Sequence, residues 1–103
     1  MNKPYVITRA AAADLNEISC HTNEQWGAAQ RLAYIQQLEG AALALAKGEG
    51  MFKDLSAIHP RLRMARCGRH YIFCLRRPNA PAVILAIFHE RMDITARLRS
   101  RLA

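Results

Sequence analysis

The 103-residue chain has little sulfur chemistry to draw on: three cysteines, Cys20, Cys67 and Cys74, an odd number with no Cys-x-x-Cys pair. That rules out a disulfide framework as the source of stability and leaves no paired-cysteine metal knuckle. No apolar signal-peptide region follows Met1-Asn-Lys, so the cytoplasm is the expected compartment. The most apolar helical run, Ala41 to Ala46, is far too short to cross a bilayer and is bounded by Glu39 and Lys47. No repeat, low-complexity tract or linker interrupts the chain, and the expectation is one domain over residues 1–103.

Acidic residues are scarce where basic ones are dense. Residues 1–50 carry four Lys/Arg against five Asp/Glu, whereas residues 51–103 carry eleven against three, so the second half holds all of the +7 excess. Ten of those eleven cations are arginines, whose planar forks grip carboxylate and phosphate two bonds at a time. An acidic protein or a nucleic acid is the partner class this implies; solubility is the alternative use of the same charge.

The densest structural signal lies between Arg61 and Asp93. Leu62 and Met64 alternate with Arg61, Arg63 and Ala65, the period of a half-buried strand, and a turn at Cys67-Gly68 leads into Tyr71, Ile72 and Phe73. A third run, Ala82 to Phe88, is apolar on both faces and belongs inside a sheet, with Val83, Leu85 and Ile87 expected opposite Ile84, Ala86 and Phe88. Pro78 and Pro81 fix the turn between the last two runs. Upstream, Tyr5 to Thr8 reads as a short strand, and Thr8 as the N-cap of a helix carrying Ala11, Leu15, Ile18, Thr22 and Trp26 on one stripe. After Gly27 a second stripe of Leu32, Ile35, Leu38, Ala42 and Leu45 ends at Gly48, a fitting left-handed cap. Residues 49–60 read as a packed loop, and Asp93 caps a last helix from Ile94 to Leu102. The predicted fold is α+β, in the order β-α-α-β-β-β-α, an antiparallel-rich sheet packed against a helical hairpin.

These residues also carry a resemblance. The opening Tyr5 to Leu15, then Glu17-Ile18, Thr22, Trp26-Gly27, His59 to Arg63, Gly68 to Tyr71 and His89-Glu-Arg-Met-Asp93 resemble, in order and spacing, the ParE toxins of the RelE/ParE superfamily of bacterial toxin-antitoxin systems. The resemblance implies a small toxin that acts on DNA gyrase, trapping the enzyme on DNA, catalysing nothing itself and neutralised by a ParD-like antitoxin. It implies no cofactor, and proximity to DNA only through gyrase. Antitoxin tails are typically acidic and apolar and fold on binding, which suits an arginine-rich receptor. The residues expected to contact antitoxin or target are Arg61, Arg63, Arg69, His70, Glu90, Arg91 and Asp93.

RelE-like relatives cleave messenger RNA on the ribosome, which calls for cations around the phosphate and a base and an acid for the hydroxyls. Arg61, Arg63, Arg69, His70, Tyr71 and His89 are the candidates for such a site. Tyr71, however, sits in an apolar strand run as a core residue does, and acidic Glu90 follows His89 where the nuclease relatives carry an aromatic. The preferred reading has no catalytic residue, with ribosome-dependent cleavage as the alternative. No metal site is expected: His89-Glu90 lacks the helical i, i+4 spacing of a zincin, and Cys67 with His70 gives one ligand pair only. Neighbouring Cys20 and His21 point in different directions on a helix and make no nucleophile-base pair. Trp26 is read as core by its helical spacing, and Arg97, Arg99 and Arg101 as either a solvated helix face or DNA contacts.

Overall fold

The computed structural model describes residues 4–102. Its elements are β1 (Tyr5–Ile7), α1 (Arg9–Trp26), α2 (Ala28–Lys47), β2 (Lys53–Asp54), β3 (Leu62–Cys67), β4 (His70–Leu75), β5 (Ala82–His89) and α3 (Ile94–Leu102). The fold is α+β in the order read from the sequence, with one addition. Within the 49–60 segment, Lys53 and Asp54 pair antiparallel with Met64 and Arg63, a strand too short to show any alternation.

Local chemistry sets the boundaries. Thr8 Oγ1 accepts from the Ala11 N–H at 3.1 Å and so caps α1, and Asp93 Oδ1 does the same for the Ala96 N–H at 3.4 Å in α3. Gly48 takes φ +72° at the end of α2 while Glu49 N–H returns to Ala44 C=O at 2.8 Å, a Schellman-type stop. The β3–β4 hairpin turns on Gly68 and Arg69, one residue later than the Cys67-Gly68 expected, with Gly68 at φ +60°.

The five strands run in the order β1-β5-β4-β3-β2, antiparallel except for the parallel β1–β5 pair. One face is covered by the helical hairpin: Ala11, Ile18, Leu38, Ala42 and Leu45 pack on Ala65, Ile72, Cys74, Ile84 and Ile87. The other face is covered in part by α3, with Leu98 against a cluster that includes Leu62, Phe73, Leu85 and Phe88. Burial of the leucines, isoleucines and phenylalanines among them, at roughly 1.5–3 kcal/mol each, holds the layers together.

Strict alternation along β5 fails at one point. Phe73 pairs with Ala86 but Cys74 pairs with Ile84, so Leu85 is an extra residue in a β-bulge. The bulge turns Ile84 and Ile87 to the hairpin face and Leu85, Ala86 and Phe88 to the α3 face, which regroups the two sets expected from a regular strand. Two further expectations give way to exposure. Trp26, the last residue of α1, is 71% exposed, and Leu32, near the start of α2, is 56% exposed. Both stripes bury only where a strand lies beneath them, and these residues stand next to the Gly27 junction. No described helix is long and apolar enough to cross a membrane.

Candidate functional site, a histidine-lined cleft and an arginine cluster

Because His70 pairs with His89 across β4 and β5, and because both belong to the phase that faces the hairpin, their rings meet beneath α1 and α2. The ring centroids are 5.1 Å apart in an edge-to-face arrangement. Tyr34 reaches down from α2 to the same place. Its hydroxyl lies 2.6 Å from His70 Nδ1, 3.2 Å from the Cys67 carbonyl it can donate to, and 3.4 Å from the Arg69 N–H it accepts from. Tyr34 thereby ties α2 to the β3–β4 turn. The approach is close enough that a Cβ on Gly68 would stand 2.7 Å from the hydroxyl.

These groups floor a cleft of about 690 Å³ whose walls and rim include Ile18, Trp26, Arg69 and His89. The volume is in the range of small-molecule sites. Burial, with His89 second, pushes the His70 imidazole down to about 4, partly offset by Glu90. At neutral pH it is an uncharged ring, as its half-buried place beside a second imidazole requires. Burial also holds the Tyr34 hydroxyl above its ordinary value. His89 Nδ1 accepts the Arg91 N–H at 3.1 Å, so its proton resides on Nε2.

The remaining expected contact residues fall into two groups. Arg69, Glu90, Arg91 and Asp93 surround the cleft end of the sheet, Glu90 donating its N–H to the Arg69 carbonyl at 2.9 Å. Glu90 is paired at 2.7 Å with Arg66, whose guanidinium also lies over the Tyr71 ring. Arg61 and Arg63 lie at the far end of β3. Arg63 is four residues along the strand from Cys67, the register partner of His70, a separation of about 13 Å. Arg61 stands just outside β3 at φ +67° and accepts the Arg76 N–H at 2.9 Å. Arg63 is half-buried, 4.5 Å above the Phe52 ring. Burial first and Arg76 second hold its guanidinium below its ordinary value.

Most of the chain fits one family description: residues 5–94 match the family model for the ParE toxin of the type II toxin-antitoxin system parDE. The chain belongs to the ParE toxin family. It is 53% identical over 98 residues to Toxin ParE of Escherichia coli, covering 95% of both chains. It is 28% identical to Toxin ParE1 of Caulobacter vibrioides over 93% of this chain and 98% of that one, and 28% identical to Toxin ParE1 of Mycobacterium tuberculosis over 95% and 100%. As a ParE toxin of a toxin-antitoxin pair it has an antitoxin for a partner.

Sequence reasoning missed three residues around this cleft and the adjoining end of the sheet. Tyr34 and Arg66 were not singled out, although Arg66 balances Glu90, and Trp26 read as core. The available signal was phase: Arg66, two residues from Met64 on the α3 face of β3, stands diagonal to the end of β5. Among the described residues no group of three His, Cys, Asp or Glu side chains could hold a metal ion.

Proposed function

We propose that this ParE toxin inhibits DNA gyrase by trapping it on DNA, acts without catalysing a reaction or using a cofactor, and is neutralised in the cytoplasm by a ParD-like antitoxin. The observation that carries the reading is the match of nearly the whole chain to the ParE family, together with full-length relatives named as ParE toxins. The chemistry at the cleft is in keeping with it. Phosphoryl chemistry needs cations free to face the phosphate. Here Arg69 is, among the described residues, the single arginine on the cleft, His70 Nδ1 is engaged by Tyr34, and burial leaves the His70 ring without charge at neutral pH. Arg61, Arg63, Arg69, His70, Glu90, Arg91 and Asp93 serve as contacts to gyrase or antitoxin, and their division between two ends of the sheet supports two contact surfaces.

The test is DNA supercoiling by purified gyrase with and without the folded, antitoxin-free protein, scoring linear DNA after the complexes are denatured. Inhibition with linear product is the expected result; supercoiling that proceeds unchanged overturns the reading. One observation favours a second reading, messenger RNA cleavage on the ribosome: His70 and His89 stand ring to ring, as a base and an acid would. Toxicity that survives in His70→Ala and His89→Ala removes it, whereas toxicity lost in variants that still fold and bind antitoxin establishes it.

A further inference from the structure

The cleft beneath the helical hairpin holds more recognition chemistry than the fold itself uses. Tyr34 and His70 are spent on the β3–β4 turn, where one hydroxyl serves Cys67, Arg69 and His70. Much of the remaining lining is uncommitted. The ion pairs of the described residues are Arg66–Glu90 and Arg101–Asp14, so neither involves Arg69 or Glu17, both of which line the cleft. His89 takes the Arg91 N–H on Nδ1, which leaves its Nε2–H to donate. Trp26, on the rim, is 71% exposed.

These groups are sorted along the cleft. Arg69 and His89 share the sheet end, since the Arg69 carbonyl accepts the N–H of Glu90, the residue that follows His89. A guanidinium fork and an imidazole N–H together suit an anion. Gln30 lies one helical turn from Tyr34, about 6 Å along α2 towards the hairpin tip, and Gln25 and Trp26 end α1 at that same tip. An amide offers a donor and an acceptor together, as the edge of a nucleobase requires. An indole face offers a platform for base stacking. Glu17 adds a carboxylate acceptor to the wall, the group that a ribose hydroxyl satisfies.

We propose that this cleft binds a free mononucleotide, its phosphate held by Arg69 and the His89 Nε2–H and its base stacked on Trp26 with the edge read by Gln25 and Gln30. A space of about 690 Å³ accommodates one such molecule. A nucleic-acid strand suits it less, because each nucleotide brings a phosphate and Arg69 is the single Lys or Arg on the cleft among the described residues. A divalent cation is opposed by the proton on His89 Nε2 and by the lack of a three-ligand group among the described residues. A wholly apolar ligand would leave both glutamine amides and the arginine without partners. The proposal goes beyond gyrase inhibition and is independent of it.

Trp26 is the single tryptophan of the chain, so intrinsic fluorescence reports from this cleft. The test titrates the folded, antitoxin-free toxin with AMP, GMP, CMP and UMP, with inorganic phosphate and with a ten-base single-stranded DNA, by tryptophan fluorescence and calorimetry. At least one mononucleotide is expected to quench Trp26 at one-to-one stoichiometry and to bind at least tenfold more tightly than inorganic phosphate. Arg69→Gln should weaken that binding at least tenfold, and Trp26→Leu at least fivefold by calorimetry; both side chains are exposed, so both variants fold. Absence of heat and quenching with all four mononucleotides at millimolar concentration overturns the proposal. Affinity within twofold of wild type in both variants also overturns it, by placing the ligand elsewhere. Inorganic phosphate that binds as tightly as the mononucleotides reduces the cleft to an anion site, and DNA that binds more tightly than any of them makes it a strand-binding surface; either result overturns the assignment.

Discussion

Asp14 and Arg101 join the first helix to the last across the open edge of β5. The pair is bidentate, with Arg101 Nη2 at 2.8 Å from Asp14 Oδ1 and Nη1 at 2.9 Å from Oδ2. β1 pairs with β5 only from Ala82 to Ile84, so the backbone beyond it has no strand partner on that side. Asp14 Oδ2 accepts the Ile87 N–H at 3.0 Å, and Arg101 Nη1 donates to the Leu85 carbonyl at 2.9 Å. The ion pair thus satisfies the bulge and fastens α3, and the carboxylate raises the Arg101 guanidinium above its ordinary value.

Removing one partner strands the other together with a backbone group. Asp14→Ala and Arg101→Ala are each expected to cost about 2 kcal/mol, at the low end for buried pairs because both side chains keep some exposure. A double-mutant cycle in urea should return a coupling of about 1–3 kcal/mol. Costs that simply add would show that the latch is ornamental.

Acid should destabilise the protein through His70. Its imidazole titrates at about 4 in the folded chain against 6.5 ordinarily, so on acidification the unfolded chain takes up the proton first. Stability is therefore complete above pH 6.5 and is lost as pH falls from 6.5 towards 4. The full difference corresponds to ~3 kcal/mol, reduced to about 1–2 for a ring that water still reaches. Urea unfolding of wild type and His70→Asn at pH 7.5 and pH 5 measures it, with the smaller pH loss expected in the variant.

The Tyr34 anchor predicts two separable losses. Tyr34→Phe removes the hydrogen bonds to the β3–β4 turn and should cost about 1–2 kcal/mol. Gly68→Ala should cost at least as much, because the position has φ +60° and the new methyl meets the tyrosine ring. In the Tyr34→Phe background Gly68→Ala should still be costly, since the ring edge stays at 2.8 Å and the backbone angle is unchanged. Thermal unfolding of the four proteins checks this.

Trp26 and Ile18 share a stripe on α1 yet should respond oppositely to truncation. Ile18→Ala, in the core, is expected to cost about 2–4 kcal/mol. Trp26→Ala should move the unfolding midpoint by no more than about 3 °C, as for other surface changes. Comparable losses in both would mean that Trp26 is packed in solution.

Much of this protein could be read from the chain because the deciding forces were local. Periodicity placed both hairpin helices and β3, β4 and β5, and Thr8, Gly48 and Asp93 marked helix ends through bonds that reach only a few residues. The excess of arginine after residue 50 followed from counting. Tertiary structure alone decided the rest. β2 exists because Arg63 and Met64 offer it an edge, and the bulge at Leu85 is set by how two strands meet, which alternation in one strand does not encode. The seven expected contact residues were legible as residue types but not as two groups, since only pairing β3 with β4 puts Arg63 at one end and His70 at the other. Asp14 finds Arg101 across 87 positions of chain. No spacing rule spans that distance; the contact arises where an early-ending β1 leaves backbone groups of β5 in need of partners, and there packing brings two helices to the same edge.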